Sequence, residues 1–377
     1  MRGIVKYIVE LIILAIALLL IGLGAFFGYH WYENYQFKKH RPQIVMQGNT
    51  NISPAFQTDK IYKKRLNRDY DFIFRVSYLT PPKTWDGYNA VIPGLRATKA
   101  YDFEKKKYTQ TDTMTPQGIT IAGKFLLITA YDGEHKRNSV IYVLDKKTNK
   151  FIKTIQVPKK PHLGGITYDP VAKNIWITGS VGGKSALQSF SMKSLKAYPK
   201  KSLIPIQYNH TVIIPSMPKA STVTYYGGNL LVGYFDLRKR GTVSSFRISR
   251  SGKYKNSIGV KEVATKTGNA IYSDPDGQTS MDEKIQGIAV YDDKIFLSQS
   301  YGSQSSKLYV FPISAINALS EQNAELVIKM PPYLEQITAY KGQLLCIFES
   351  AASQYANPDI VIMDRILSMN INGLFSK

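Results

Sequence analysis

With 377 residues, 44% of them apolar, the chain can bury one large core or two ordinary ones, which excludes a disordered tail. Its 49 lysines and arginines against 27 acidic residues leave a formal charge of +22, a field that attracts polyanions whatever the fold. A single cysteine, Cys346, excludes an intrachain disulfide and any paired-cysteine zinc site.

The amino-terminal stretch predicts a membrane anchor over residues 1–35. From Leu11 to Tyr32 there are 22 residues without an Asp, Glu, Lys or Arg. At a rise of about 1.5 Å per residue such a run crosses a hydrocarbon core of about 30 Å, whereas a cleavable signal has an apolar region of only about 7 to 15 residues. Tyr29, Trp31, Tyr32 and Tyr35 follow where amphipathic rings favour the headgroup zone, and Lys38, Lys39 and Arg41 come next, beside the phosphates. Arg2 and Lys6 on the other flank leave the orientation open by charge. A single anchor at the start of a chain exports the domain behind it, so the expectation is a single-pass protein of the cell membrane with its bulk extracytoplasmic. Cleavage after the small residues near Gly24 and Ala25 is the rival reading.

Residues 36–70 are polar and basic, as in QGNTNISPAFQTDK and IYKKRLNR, and read as a stalk. A β-propeller domain is expected over 71–377. Strands are expected at Asp71–Ser77, Ala90–Ile92 and Lys99–Phe103, interrupted by Pro81-Pro82 and Gly87. From Thr115 onward one unit recurs five times: TPQGITIAGKFLLITAYD, HLGGITYDPVAKNIWITGS, ASTVTYYGGNLLVGYFD, KIQGIAVYDDKIFLSQSY and LEQITAYKGQLLCIFES. Each is a strand, a tight turn and a second strand. The aligned anchors Ile119, Ile166, Val223, Ile288 and Ile337 are 47, 57, 65 and 49 residues apart, periods that predict one four-stranded blade per repeat. Third strands are expected at Ser139–Asp145, Ala186–Met192, Thr242–Ile248, Lys307–Pro312 and Asp359–Asp364, and fourth strands at Phe151–Val157 and Glu325–Met330. The fold class is therefore all-β, a propeller of five or six four-stranded blades behind one N-terminal transmembrane helix. Lys107–Met114 is the expected latch for the fifth sheet. Two insertions, 193–218 and 253–284, are expected as loops on the binding face.

In a propeller, residues entering each first strand and leaving each second strand share one face of the disc. Entries are Gln117, Gly164, Ser221, Gln286 and Glu335, with His162 close by. Exits are Tyr131 and Asp132, Ser180, Tyr234 and Asp236, Ser300 and Tyr301, and Glu349 and Ser350. A polar rim at the channel mouth results, with Gln117, Asp132, His162, Gln286, Tyr301, Glu335 and Glu349 as ligand-binding candidates. The same recurrence suits groups that tie neighbouring strands together. Glu335 and Glu349 end the same hairpin, where two carboxylates share a proton or hold a divalent cation. His162 is the candidate base, or a structural donor beside its Gly-Gly turn. Asp274, Asp276 and Glu283 resemble part of a Ca²⁺ loop, although Tyr272 falls where the first ligand belongs; an ordinary acidic turn is the alternative. Phosphate-cradling, nucleophile-elbow and zinc-protease motifs are absent from the sequence.

Gln117-Gly118-Ile119, Gly164-Gly165-Ile166, Gln286-Gly287-Ile288 and Glu335-Gln336-Ile337, each opening a hairpin, are similar to the repeats of bacterial extracytoplasmic propellers of the YncE-like, TolB-like and SMP-30/strictosidine-synthase-like kinds. The resemblance runs from Thr115 to the C-terminus and implies the fold. Lactonase-like members of that group work through a channel-bound divalent cation held by Glu, Asn and Asp. Glu335, Glu349 and Asp132 stand near that place, without an asparagine at matching repeats. Two expectations result: an envelope binding or scaffold module for an anionic polymer or partner protein, and a metal-assisted hydrolase at the mouth. Binding of extracellular nucleic acid ranks below both.

Overall fold

The computed structural model describes residues 2–79, 89–265 and 268–376; Pro81-Pro82 and Gly87 lie outside them. Helix α1 (Arg2–Lys39) carries the apolar run, which is exposed, and has the length and composition of a membrane anchor or signal sequence. The remainder is mostly β.

Strands β1 (Met46–Gln47), β2 (Thr50–Asn51), β3 (Thr98–Asp102) and β4 (Lys107–Thr111) form a small antiparallel sheet ahead of the repeats. The first repeat gives β5 (Met114–Ala122), β6 (Phe125–Asp132), β7 (Val140–Asp145) and β8 (Phe151–Gln156), hydrogen-bonded in that order. The second gives β9 (Ile166–Asp169), β10 (Asn174–Val181), β11 (Lys184–Ser191) and β12 (His210–Ile213). The third gives β13 (Ala220–Tyr226), β14 (Asn229–Tyr234) and β15 (Gly241–Arg247), then the hairpin β16 (Lys261–Thr265) and β17 (Gly268–Tyr272), then β18 (Gly277–Met281) against β15. The fourth is β19 (Ile285–Tyr291), β20 (Lys294–Gln299), β21 (Ser306–Pro312) and β22 (Leu326–Met330); the fifth is β23 (Leu334–Tyr340), β24 (Gln343–Phe348) and β25 (Leu367–Asn370).

The first strands of these sheets touch in cyclic order, β5 to β9, β13, β19, β23 and back to β5. Apolar clusters fill each gap between neighbouring sheets. Ile155 and Ile175 share the cluster between the first and second, Leu187 and Val232 that between the second and third, Val243 and Ile295 that between the third and fourth, Phe296 and Cys346 that between the fourth and fifth, and Leu345 and Ile128 that across the closure. Sheets packed face to face around an axis, with inner strands in a closed cycle, make a β-propeller. Every sheet of the ring buries both faces, which explains the near-continuous apolar runs in β6 and β24.

Several segments depart from expectation. Asp71–Ser77 is helical over Asp71–Val76 (α3), not extended; its apolar residues sit at a spacing that suits either period, and packing of Ile73 into the gap between fourth and fifth sheets decides it. Residues 36–70 are not a free stalk. α1 continues to Lys39, and the basic IYKKRLNR belongs to α2 (Asp59–Asp69), capped by the Thr58 hydroxyl. Its lysines and arginines surround Tyr62 and Leu66, which are four apart on the face buried against the fifth sheet. Arg365 stacks over the Tyr62 ring at 4.7 Å and bonds Asp59, Asp364 and the Gln57 carbonyl at 3.0, 3.0 and 2.9 Å.

The third strand of the fifth sheet is β25, downstream of Asp359–Asp364, and its outer neighbour is not Lys107–Met114. A short turn folds Lys107–Thr111 back onto β3, a loop that loses little entropy on closing, while Ser77 pairs with Met369 and the Tyr78 amide donates to the Ser368 carbonyl. The ring is thus sealed by chain that precedes its first repeat. The insertion 193–218 holds α4 (Met192–Ala197) and β12, while 253–284 holds the β16–β17 hairpin, which adds to the second sheet by parallel pairing of β17 with β12.

Candidate functional site

The inner strands are built to turn selected side chains toward the axis. β5, β13, β19 and β23 each carry a register break at their entry, between Pro116 and Ile119, Ala220 and Thr222, Ile285 and Gly287, and Leu334 and Ile337. Such a bulge re-aims the extra residue, and the residues involved are Gln117, Ser221, Gln286 and Glu335.

One step deeper, the repeats diverge. Gly118, Gly165, Thr222, Gly287 and Gln336 occupy equivalent places, and the single long side chain takes the space the others leave. Gln336 Oε1 accepts the Ile119 and Ile166 amides at 3.0 Å each, and its Nε2 donates to the Ile166 and Val223 carbonyls at 2.9 Å each. One side chain from β23 thereby ties β5, β9 and β13 and occupies the axis. A Cβ on Gly118 would lie 2.7 Å from Gln336 Oε1, and one on Gly165 2.4 Å from the Val223 amide nitrogen. The glycine of the recurring Gln-Gly-Ile is therefore a demand of close approach at the axis.

Above this plug lies a cavity of about 320 Å³, with Tyr131, His162, Gln286, Glu335, Glu349 and Tyr355 among its walls. The expected candidates Gln286, Tyr301, His162, Glu335 and Glu349 converge here, with Tyr301 half out in solvent. Gln117 stands behind the wall and donates from Nε2 to Glu349 Oε1. Phe235, Tyr333 and Tyr355 were not expected. Tyr333 occupies the place of His162 in the fifth repeat, so the repeat register pointed to it; Tyr355 lies in an irregular loop with no periodic signal.

Asp132 is not part of the mouth. Its carboxylate turns away to accept from Thr113 Oγ1 and the Lys136 and Arg137 amides, the last two at 3.0 and 2.9 Å, and it faces Arg137 at 3.3 Å. Arg137 also faces Asp102 at 3.5 Å, a buried charge group that pins the small sheet to the first repeat. The Ca²⁺-loop reading fails on backbone geometry, because Gly277–Met281 is extended and paired along β15. Asp274 faces Lys261 at 3.1 Å and Asp276 accepts the Arg247 amide at 2.5 Å, so Asp274, Asp276 and Glu283 do not share a centre. Neither insertion contributes a wall of the cavity.

Glu335 and Glu349 are 96% and 91% buried. Burial and the neighbouring Glu349 hold the Glu335 carboxyl well above its usual range. Burial raises Glu349 to about 8, opposed by the Gln117 hydrogen bond and by the Lys219 ammonium. Among the described residues no donor reaches the Glu335 carboxylate, which faces the cavity. Burial drives His162 down to about 3, helped by Lys219 and His135, so the imidazole is neutral, and its ring lies 4.3 Å from that of Tyr131. Tyr333 and Tyr355 stack at 4.9 Å. Lys219, the third repeat's counterpart of His162, was missed because no charge recurs at that place.

Among the described residues, no three His, Cys, Asp or Glu side chains converge as metal ligands. The mouth thus brings the carboxyl pair Glu335 and Glu349 and a neutral imidazole together among aromatic walls.

No protein-family model matches the chain, and no curated protein matches it. Among solved structures it is similar to a chain of Kuenenia stuttgartiensis hydrazine synthase, with 11% identity and a TM-score of 0.36, covering 63% of this chain and 56% of that one. It is also similar to the RRP9 WD40 repeats, with 8% identity and a TM-score of 0.38 over 68% of this chain and 94% of that one, and to the Dos1 propeller, with 12% identity and a TM-score of 0.33 over 69% and 61%.

Proposed function

We propose that this chain is a five-bladed propeller held to a membrane by α1, with its bulk outside the cytoplasm, and that it binds a small cationic group at the mouth without transforming it. The carrying observation is the pair of buried carboxyl groups, Glu335 and Glu349, set in aromatic walls. Two such groups resist double ionisation. A ligand cation entering between them restores the charge balance, and the faces of Tyr131, Tyr333, Tyr355 and Phe235 add cation–π attraction. The donor set does not favour the metal-assisted hydrolase.

Methylammonium and tetramethylammonium, titrated calorimetrically into the full chain in micelles, are the probes. Binding should strengthen between pH 6.5 and 8 and weaken at least about tenfold in the Glu335→Gln, Glu349→Gln double variant. Equal binding by that variant, or equal binding of an uncharged isostere, overturns the assignment.

Exposed positive charge favours a second contact. Lys105, Lys106, Lys200, Lys201, Arg238, Lys239 and Arg240 are exposed on turns and bends. An anionic envelope polymer or an acidic partner protein is the ligand that surface suits, with nucleic acid the weaker case. Binding of a polyanion that does not fall as salt rises would remove this second contact.

A further inference from the structure

The junction of anchor and domain holds a second cavity, about 220 Å³, unrelated to the mouth. Glu33 and Gln36 of α1, with His40 just past its end, form one wall, and Lys64, Arg65 and Arg68 of α2 the other. Phe37 stacks on Phe56 at 5.5 Å beneath them. The two walls are fixed relative to one another. His30 meets Asp359 at 2.7 Å, Arg41 Nε donates to the Ala55 carbonyl at 3.0 Å, and Arg65 donates to the Pro358 carbonyl.

The charges do not cancel. Arg68 is held by Asp69 at 2.6 and 2.8 Å, and among the described residues Glu33 is the one carboxylate in the wall. Lys64 pairs with no carboxylate among the described residues, and half-buried Arg65 donates to a carbonyl, so neither charge is neutralised there. An excess of cations in a concave site, with an amide donor from Gln36, calls for an anion with several acceptor oxygens.

Position narrows the choice. The cavity begins one residue past the uncharged run that ends at Tyr32, beside exposed Tyr29, Trp31 and Tyr35. Rings of that kind settle at headgroup depth, where lipid phosphates lie. We infer that the α1–α2 cavity binds the phosphate of an anionic lipid headgroup, through Lys64, Arg65 and Arg68. The site orients the propeller on the bilayer as well as tethering it. It rests on α1 being inserted as proposed above.

The test uses the full chain in two steps. Flotation with phosphatidylcholine vesicles reports insertion alone and is expected for every variant; loss of flotation would remove the anchor, and with it this assignment. Native mass spectrometry then counts phosphatidylglycerol and phosphatidylcholine molecules retained from mixed nanodiscs. Wild type should retain phosphatidylglycerol. The Lys64→Gln, Arg68→Gln variant should lose about 30-fold in that retention, and exposed Lys64→Gln alone, which leaves the Arg68–Asp69 pair intact, about fivefold. Lys193→Gln with Lys196→Gln, the same charge change on a distant helix, should lose none. Equal retention by the first variant overturns the assignment. Full displacement by millimolar inorganic phosphate would show a free-anion site and overturn the lipid.

Discussion

Replacing Glu349 by Gln should change the slope of stability against pH more than stability itself. In the wild type, burial lifts this carboxyl from an ordinary 4.5 to about 8. The unfolded chain releases the proton near 4.5 and the folded chain only near 8, so between those values the native state holds the extra proton. Stability contributed by the group is therefore complete below 4.5 and is lost as pH rises toward 8. His162 acts in the opposite sense below its ordinary 6.5, because its folded value is about 3 and the unfolded chain binds the proton first. Above 6.5 that contribution is flat. The window from 6.5 to 8 is clear of His162 and leaves the two buried carboxyls, and at 1.36 kcal/mol per pH unit the share of Glu349 in the wild type's loss across it should be roughly 2 kcal/mol. Glu349→Gln preserves the carbonyl oxygen that accepts from Gln117 Nε2, so packing is kept. Denaturant unfolding of both proteins at closely spaced pH values is the assay, and the variant's line should fall less steeply than the wild type's, its remaining slope being that of buried Glu335. Parallel lines would refute the buried, proton-holding carboxyl.

Five further substitutions test the architecture by denaturant unfolding. Gln336→Ala abandons four hydrogen bonds to three inner strands and should cost roughly 4 kcal/mol or more, while Gln336→Glu should be worse at pH 8 than at pH 5, since a carboxylate faces the Ile166 and Val223 carbonyls. Gly165→Ala meets backbone and should cost more than about 3 kcal/mol; Gly118→Ala meets side-chain oxygens that can yield and should cost less. Arg137→Met strands the buried Asp102 and Asp132 carboxylates and should cost about 3 to 5 kcal/mol, with fraying of the small sheet seen by hydrogen exchange.

The hairpins were legible because each alternates strand, turn and strand around a strong apolar anchor, and β20 falls on the second strand of the unit KIQGIAVYDDKIFLSQSY. Five of the seven mouth residues converge for the same reason: repeat register fixes which end of a strand faces the axis. What the sequence hid is non-local. Asp132 carries the same rim signature as Glu349, yet a turn of four residues behind it offers amides and Arg137, and the carboxylate follows the donors. Nothing in residues 71–77 announces that a fourth-sheet and fifth-sheet gap awaits Ile73, and nothing near β25 says that Ser77 will complete its edge. The roles of Gln336 and of the repeated glycines become visible only when neighbouring repeats are laid side by side around an axis, a comparison that a linear period invites but does not make.

Because Gln336 stops the bore beneath the mouth, the vestibule has one door. A long chain passing over it can dip in only a terminus or a side branch, and whatever settles against Glu335 and Glu349 must retreat along the path by which it came. Residence time is then governed by the rim, where Tyr301 and Tyr333 stand, and loosening either ring should hasten departure without touching the floor.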